Sequence, residues 1–256
     1  MPKTDLPLRV FATALPATGR DARVVVALEV RSDREPILKE NGSLADALKY
    51  LVIAADLKKT RVARATQGEA RLVLRARDVV EDAPGRITYQ IVTSLMLKPG
   101  RYQLRVSANS AGLRKGGSVY LALDVPEFST TPLALSHPVL GYAAGARVPV
   151  AYSTLAAGVL PFAPALDRVF SQTDELRAFA MVRRRNAMTP VDVALAIVGA
   201  DNRTMRTLDR RIGPRAPAHV DVTLPLRELA PGAYRLLLCA TDGVMLVERE
   251  VGFLVQ

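Results

Sequence analysis

Short runs in which apolar and polar residues alternate recur along the whole chain, separated by Gly, Pro, Asp and Asn. Such runs, rich in Val, Ile, Leu and Tyr, predict β-strands. The predicted strands cover residues 24–30, 71–77, 87–97, 118–125, 175–182, 191–198, 219–226, 233–240 and 247–255. Hairpin turns are predicted at ADNR (200–203) and TDG (241–243). Helical periodicity is almost absent. Residues 43–50 are the one candidate for a short helical segment, with Ser43 as its N-cap.

The chain contains an internal repeat. The sequence LKPGRYQLRVSA at residues 97–108 recurs as LAPGAYRLLLCA at residues 229–240, so that a Pro-Gly turn precedes a Tyr and an alternating strand in both copies. Two further echoes follow the same order, LRVFA (8–12) with LRAFA (176–180), and YLVIAADLKK (50–59) with ALAIVGADNR (194–203). Three matches in one order predict a duplicated domain.

Two copies of a unit made of short strands predict an all-β protein with two tandem immunoglobulin-like or fibronectin-III-like β-sandwiches. We assign residues 1–127 to the first sandwich, 128–166 to a connector and 167–256 to the second. Tyr102 and Tyr234 each enter a strand just after a turn, as in the tyrosine corner of immunoglobulin-like domains. Leu104, Val106 and Ala108 share the inner strand face of Tyr102, and Leu236, Leu238 and Ala240 share that of Tyr234. The chain has no Trp and one Cys, so the disulfide of antibody domains is excluded.

The connector is predicted to be packed rather than flexible. It carries one charged residue, Arg147, among many Pro, Gly, Ala and Val residues, whereas flexible linkers are polar and rich in Gly and Ser. The second copy places Leu237 and Cys239 on the outer strand face, where the first copy has Arg105 and Ser107. We therefore expect an extended, partly strand-forming connector that packs on the second sandwich or between the two. The prolines in its uncharged stretch 148–166 exclude a membrane-spanning helix.

The length of 256 residues fits two compact units, and the charge raises the question of partners. Thirty-five basic and 25 acidic residues give a net charge of +10. This makes nucleic acid, anionic lipid and anionic polymers partner classes to consider. The basic residues are mostly arginines dispersed through strands, and aromatic residues make up 5% of the chain. Because single-strand binders stack bases on aromatic side chains, specific nucleic-acid recognition is not predicted.

Candidate reactive groups are few. One Cys and two His exclude a disulfide scaffold and multi-thiolate zinc sites, and Cys239 is interpreted as a buried, inert thiol. Ser136 and His137 are adjacent but lack a Gly-x-Ser-x-Gly motif, and His219 opens a strand. The following acids are interpreted as solvated charges rather than a calcium loop: Asp124, Glu127, Asp167, Asp174 and Glu175. We predict no enzyme, no cofactor and no metal.

The segments LPLRVFA, PGRY, GSVYLALDVPEFSTTPLALSHPVLG, RVFSQTDELRAFAMV and PGAY together resemble a known family. They are similar to the carboxy-terminal tail of acidobacterial-type proteins related to the von Willebrand factor A domain, from Leu6 to about Val255. The resemblance implies a β-rich tail that follows a metal-binding α/β domain in an exported protein. The Asp-x-Ser-x-Ser motif of that metal site does not occur in this sequence, so metal-dependent adhesion is assigned to no residue here.

These observations predict a non-enzymatic structural or interaction module, acting as a spacer or protein-binding tail of an exported or surface protein. The partner would be another protein or an adjoining domain. The alternative is a module that binds carbohydrate or an anionic polymer. No signal peptide follows Met1, which leaves a cytoplasmic location as the alternative to export. The predicted interaction loops contain Arg114 and Lys115, next to the hairpin glycines Gly116 and Gly117, and the run Arg183, Arg184 and Arg185.

Overall fold

The computed structural model describes residues 3–32, 43–75, 87–216 and 218–256, which contain seventeen strands and no α-helix. In chain order the strands are β1 (Leu8–Leu15), β2 (Ala22–Ser32), β3 (Ser43–Asp56), β4 (Arg61–Arg75), β5 (Ile87–Leu97), β6 (Gly100–Ser110), β7 (Lys115–Val125), β8 (Leu133–Leu135), β9 (Val139–Tyr142), β10 (Val150–Tyr152), β11 (Val169–Phe170), β12 (Glu175–Arg184), β13 (Val191–Gly199), β14 (Thr204–Ile212), β15 (His219–Pro225), β16 (Gly232–Thr241) and β17 (Leu246–Val255). The all-β prediction is confirmed.

The chain divides into two compact units. The first consists of residues 1–12, 23–126 and 146–160, and the second of residues 13–22, 127–145 and 161–256. The first unit holds the sheets β1-β2-β5-β10 and β4-β3-β6-β7. The second unit holds β11-β17-β16-β13-β14 and β15-β12-β8, with β9 also paired to β12. The residues predicted as a connector are thus shared between the units.

One sheet is built alike in both units. The order β4-β3-β6-β7 of the first unit matches the order β14-β13-β16-β17 of the second. In β3 a register irregularity follows Ala54, which lies opposite Leu104, two residues after Tyr102. In β13 the irregularity follows Ile197, which lies opposite Leu236, two residues after Tyr234. A shared strand order with a bulge at the same place supports a duplicated sandwich.

The predicted equivalence of LRVFA and LRAFA is wrong. LRVFA lies in β1. Among the described strands of its sheet, β1 is an edge strand and pairs with β2. LRAFA lies in β12, which has β15 on one side and β8 and β9 on the other. The two segments therefore occupy different places in their sheets. Five residues of alternating pattern are common to any half-buried strand and do not identify its place.

Both predicted tyrosine corners are present. The Tyr102 hydroxyl donates to the carbonyl of Lys98 at 2.9 Å, and the Tyr234 hydroxyl donates to the carbonyl of Ala230 at 2.8 Å. Both rings are buried. The alternate residues after each Tyr face the two cores and are buried as predicted: Leu104, Val106, Ala108, Leu236, Leu238 and Ala240.

The predicted helical segment at residues 43–50 is wrong, because it forms the first half of β3. This strand pairs with β4 along its whole length and with β6 from Leu48 onward. Leu48, Tyr50 and Val52 point into the core, while Lys49 between them is exposed. Pairing on both sides outweighs a weak local helix preference. The predicted strand 71–77 is the end of β4, and residues 76 and 77 lie outside the described residues.

The predicted connector is extended and forms strands, as expected, but it does not cover Leu237 and Cys239. Its strands β8 and β9 lie antiparallel to β12, and β10 lies parallel to β5. Leu237 and Cys239 belong to β16, in the other sheet of the second unit. The connector therefore extends the sheet of β12 by backbone pairing and leaves the outer face of β16 half-exposed. A search of the described residues for a helix with the length and apolar character needed to span a bilayer finds none.

Candidate interaction surface of the second unit

The first predicted interaction loop lies in the first unit, at the turn between β6 and β7. Arg114 is exposed there with a φ of 54°, and Lys115 begins β7, which confirms the predicted hairpin. The two glycines that follow are buried. A Cβ at Gly117 would lie 2.1 Å from the carbonyl oxygen of Leu6. Gly117 thus allows the close approach of the N-terminal segment, while Arg114 stays in solvent.

The second predicted loop, Arg183 to Arg185, lies in the second unit, and its guanidinium groups bind backbone carbonyl oxygens. Arg183 donates to Ala17 at 3.0 Å, and Arg185 donates to Thr130. Arg184 is half-buried and donates to Thr189 at 2.8 Å, to Ala216 at 3.1 Å and to Ile212 at 3.4 Å. These contacts tie the three arginines to four loops and to the last residue of β14. They leave the positive charges in place, because carbonyl oxygens carry no formal charge.

The candidate catalytic residues are occupied by structural contacts. The Ser136 hydroxyl accepts from the backbone N–H of Met181 at 2.9 Å and donates to the carbonyl of His137 at 3.3 Å. Burial, followed by the positive charge of Arg249, lowers the pKa of His137. The His219 ring lies 5.7 Å from the ring of Phe179, centroid to centroid. The structure therefore uses Ser136 to fasten β12.

Cys239 is half-buried rather than buried, which corrects the prediction. Its thiol donates to a carboxylate oxygen of Glu248 at 3.4 Å. Burial and this carboxylate raise the pKa of Cys239, so the protonated thiol is favoured and its nucleophilicity is low.

The acids considered as calcium ligands have local partners. Asp124 lies 3.1 Å from the Nε of Arg101, and Asp174 accepts from the backbone N–H of Ser171 at 2.6 Å. Glu127 accepts from the hydroxyl and from the backbone N–H of Ser129, which lowers its pKa. Within residues 3–32, 43–75, 87–216 and 218–256, no group of three or more His, Cys, Asp or Glu is arranged to hold a metal.

A polar cluster in the first unit joins its two sheets. Asp46 of β3 accepts from the hydroxyl of Tyr89 of β5 at 2.6 Å and from the hydroxyl of Ser110 at 2.7 Å. It also accepts from the backbone N–H of Gly112 at 3.0 Å. Burial and the Asp46 carboxylate raise the pKa of Tyr89. The cluster keeps the phenol protonated and anchors the turn after β6.

An aromatic platform for sugars would need a free ring face. Tyr120 is 43% exposed on β7. The guanidinium of Arg105 lies over its ring at 5.5 Å from the centroid and is held by Gln103 at 2.9 Å. One face of this ring is therefore covered.

The outer face of the five-stranded sheet of the second unit is open. Cross-strand pairing brings Cys239 beside Ala194, and Leu237 beside Ala196. At one end of this face lies a groove of about 540 Å³, lined by the residues Asp192, Val193, Ala194, Asp209, Arg210, Arg211, Cys239, Thr241 and Leu246. The lining of the groove combines apolar and small side chains with four charged ones.

The turn between β16 and β17 exposes three consecutive apolar side chains beside this groove. Val244 is 91% exposed, Met245 37% and Leu246 62%. Asp242 holds the turn, because its carboxylate accepts from the backbone N–H of Val244 at 3.1 Å and of Met245 at 2.8 Å. These two bonds lower the pKa of Asp242. Sequence reasoning identified this hairpin turn but not its exposed apolar residues, although three apolar residues in a turn are an unusual signal.

Arginines lie at the same end of the second unit as this turn. Pairing places Thr241 between Leu246 and Asp192, and Asp192 beside Arg211, so the turn and the end of β14 share one end of the sheet. The loops that follow β12 and β14 meet there, since the N–H of Arg215 donates to Ala187 at 2.9 Å. We call this region the basic apolar end. It comprises Met188, Val244, Met245 and Leu246 with Arg183, Arg184, Arg185, Arg210, Arg211 and Arg215, and the acids Asp192, Asp209 and Asp242.

The fold defines a protein of two all-β sandwich units. No protein-family model matches the chain, and neither does any curated protein. Among solved structures, it is similar to the red sea bream transglutaminase at 13% identity, covering 99% of this chain and 31% of that chain with a TM-score of 0.27. It is also similar to the BSP domain of a biofilm associated protein at 10% identity, covering 99% of this chain and 52% of that chain with a TM-score of 0.26. A third similar structure is the β-glucuronidase 3 of Bacteroides uniformis, at 8% identity, covering 93% of this chain and 27% of that chain with a TM-score of 0.29. The chain thus spans between about a quarter and about half of the length of these proteins.

Proposed function

We propose that this chain is a non-enzymatic structural and interaction module, which serves as a spacer or binding tail of an exported or surface protein. The resemblance to the tail of von Willebrand factor A-related proteins favours the exported location. Within the module, we assign binding to the basic apolar end of the second unit.

One observation carries this proposal: the turn at residues 242–246 is held by Asp242, yet it projects Val244, Met245 and Leu246 into solvent. Exposing apolar residues together on a surface is unfavourable, and such patches mark sites of interaction. The turn is fastened at both sides, since Gly243 also donates to the Thr241 hydroxyl at 3.1 Å. The turn conformation that these hydrogen bonds stabilise therefore keeps Val244, Met245 and Leu246 in solvent.

The contacts of the reactive side chains also support a binding role over a catalytic one. Ser136 fastens β12, and Cys239 is held as a thiol beside Glu248. Nucleophilic catalysis needs a group activated by a neighbouring base or by a lowered pKa. The environment of Cys239 instead raises its pKa and favours the protonated thiol.

The proposal is tested by placing a photo-crosslinking amino acid at residue 244 in the producing cells. We expect discrete covalent adducts at this position, to protein or to lipid. The matched control carries the same amino acid at Val62, which is 60% exposed on β4 of the first unit. If the two positions give the same adducts or none, the second unit does not bind through this end and the proposal is refuted.

A further inference from the structure

We infer that the basic apolar end docks onto an anionic lipid surface, with the turn at Val244–Leu246 entering the headgroup region. This inference rests on the proposed function and names the partner of the same surface. The arrangement combines exposed apolar side chains with arginines, which is the combination that interfacial lipid binding uses.

The turn is suited to a medium that is poor in water, because its backbone donors are already satisfied. Asp242 accepts from the N–H groups of Val244 and Met245, and Thr241 accepts from Gly243. The N–H of Asp242 itself donates to Met245 at 3.3 Å. An unpaired N–H is costly to bring near hydrocarbon. The N–H groups of the tip therefore need no water partner when the tip leaves bulk water.

The charges around the tip favour an anionic surface. The basic apolar end has six arginines and three aspartates, with the Glu248 carboxylate beside it at Cys239, in a chain of net charge +10. Asp192 is paired with Arg211 at 3.6 Å, and the Asp242 carboxylate faces the N–H groups of its own turn. Arg183, Arg184 and Arg185 are fixed by carbonyl oxygens and keep their charge. Arginine side chains also extend along an apolar boundary with the guanidinium in the polar layer.

The shape of this end favours lipid over a protein partner. A stable protein interface buries about 800 Å² on each side and has few charged residues at its centre. Here the apolar part is a hairpin tip, Met188 is 50% exposed on the loop between β12 and β13, and arginines lie at the same end of the unit. A small apolar projection beside cations matches a headgroup layer, which accepts both.

The first test measures sedimentation of the full chain with vesicles of equal parts phosphatidylglycerol and phosphatidylcholine. We expect binding to these vesicles and little to pure phosphatidylcholine. Binding should weaken between 0.1 M and 1 M salt, as the screening length falls from about 10 Å to about 3 Å. Val244→Glu should reduce the affinity about tenfold or more, because it removes apolar burial and adds a negative charge. The double variant Arg210→Glu/Arg215→Glu should reduce it by about tenfold or more through charge reversal.

The matched control is Val62→Glu, which introduces the same charge at a site of similar exposure in the first unit. It should bind as the wild type does. Because Val244 is 91% exposed, Val244→Glu should keep the circular dichroism and melting temperature of the wild type. A loss of binding that accompanies an intact fold is then a surface effect.

A second test uses the absence of Trp from the chain, which makes one introduced Trp an unambiguous reporter. With anionic vesicles, Val244→Trp should show a blue-shifted emission and quenching by brominated lipid, while Val62→Trp should show neither. Failure of the wild type to bind anionic vesicles, or equal binding by Val244→Glu and wild type, overturns the inference. If crosslinking at residue 244 then gives a protein adduct, the proposed function stands without lipid; if it gives none, both fail.

Discussion

The two tyrosine corners allow a quantitative test of the duplicated fold. Replacing Tyr102 or Tyr234 by Phe removes one hydroxyl and keeps the ring. The hydroxyls donate to Lys98 and Ala230 at 2.9 and 2.8 Å, from side chains that are 3% and 8% exposed. The Tyr234 ring remains stacked on Phe253 at 5.8 Å, so packing is preserved.

The expected loss follows from these contacts. A typical intramolecular hydrogen bond contributes about 1 kcal/mol net, and leaving a buried acceptor unsatisfied costs about 1–3 kcal/mol. We therefore expect each variant to lose about 1–2 kcal/mol of unfolding free energy. For units of this size, that corresponds to a fall in the melting temperature of about 3–10 °C.

Urea unfolding followed by circular dichroism measures this loss. Tyr120→Phe is the control, because Tyr120 is 43% exposed on the same fold and should change the free energy by less than about 0.5 kcal/mol. If Tyr102→Phe and Tyr234→Phe are no less stable than Tyr120→Phe, the corners do not fasten the two units and our reasoning is wrong.

Two further predictions concern residues of the second unit. Arg184→Lys should lower the unfolding free energy by about 1–2 kcal/mol, because an ammonium cannot serve the carbonyls of Thr189, Ile212 and Ala216 from one planar fork. Arg210→Lys on the exposed edge should change the denaturation midpoint very little, and equal losses would contradict a structural role for Arg184. The lowered pKa of His137 means that the folded state favours the neutral imidazole, so its stabilising contribution is complete above pH 6.5 and is lost as the pH falls through the folded pKa. His137→Gln should flatten the fall in urea midpoint below pH 6.5, and an unchanged slope would argue against this linkage.

Much of the fold could be predicted from local sequence because its signals are local. Alternation of apolar residues defines which side of a strand is buried, and it correctly placed Leu104, Val106, Leu236 and Leu238 in the cores. The same alternation could not place LRVFA in its sheet. The pairing of β1 and β12 depends on neighbours far away in the chain.

The candidate site was less accessible to sequence reasoning. Arg183, Arg184 and Arg185 were predicted as an interaction loop, but the carbonyls of Ala17, Thr130 and Ala216 that they bind belong to loops distant in sequence. The turn at Val244 was recognised as a turn, but its exposure depends on how Asp242 folds it back. Whether a side chain makes a structural contact or remains in solvent depends on how distant segments pack in the folded unit.

The sequence by itself determined that this protein is made of strands, that a Pro-Gly-x-Tyr element occurs twice, and that Ser136 and His137 lie outside a Gly-x-Ser-x-Gly motif. These properties depend on residues that are adjacent in the sequence, because strand periodicity and turn geometry are determined locally. Only the tertiary structure decided that residues 43–50 extend a sheet, that the connector pairs with β12, and that apolar side chains and arginines meet at one end of the second unit. Those outcomes depend on backbone pairing and burial between segments far apart in the chain, which no local pattern encodes.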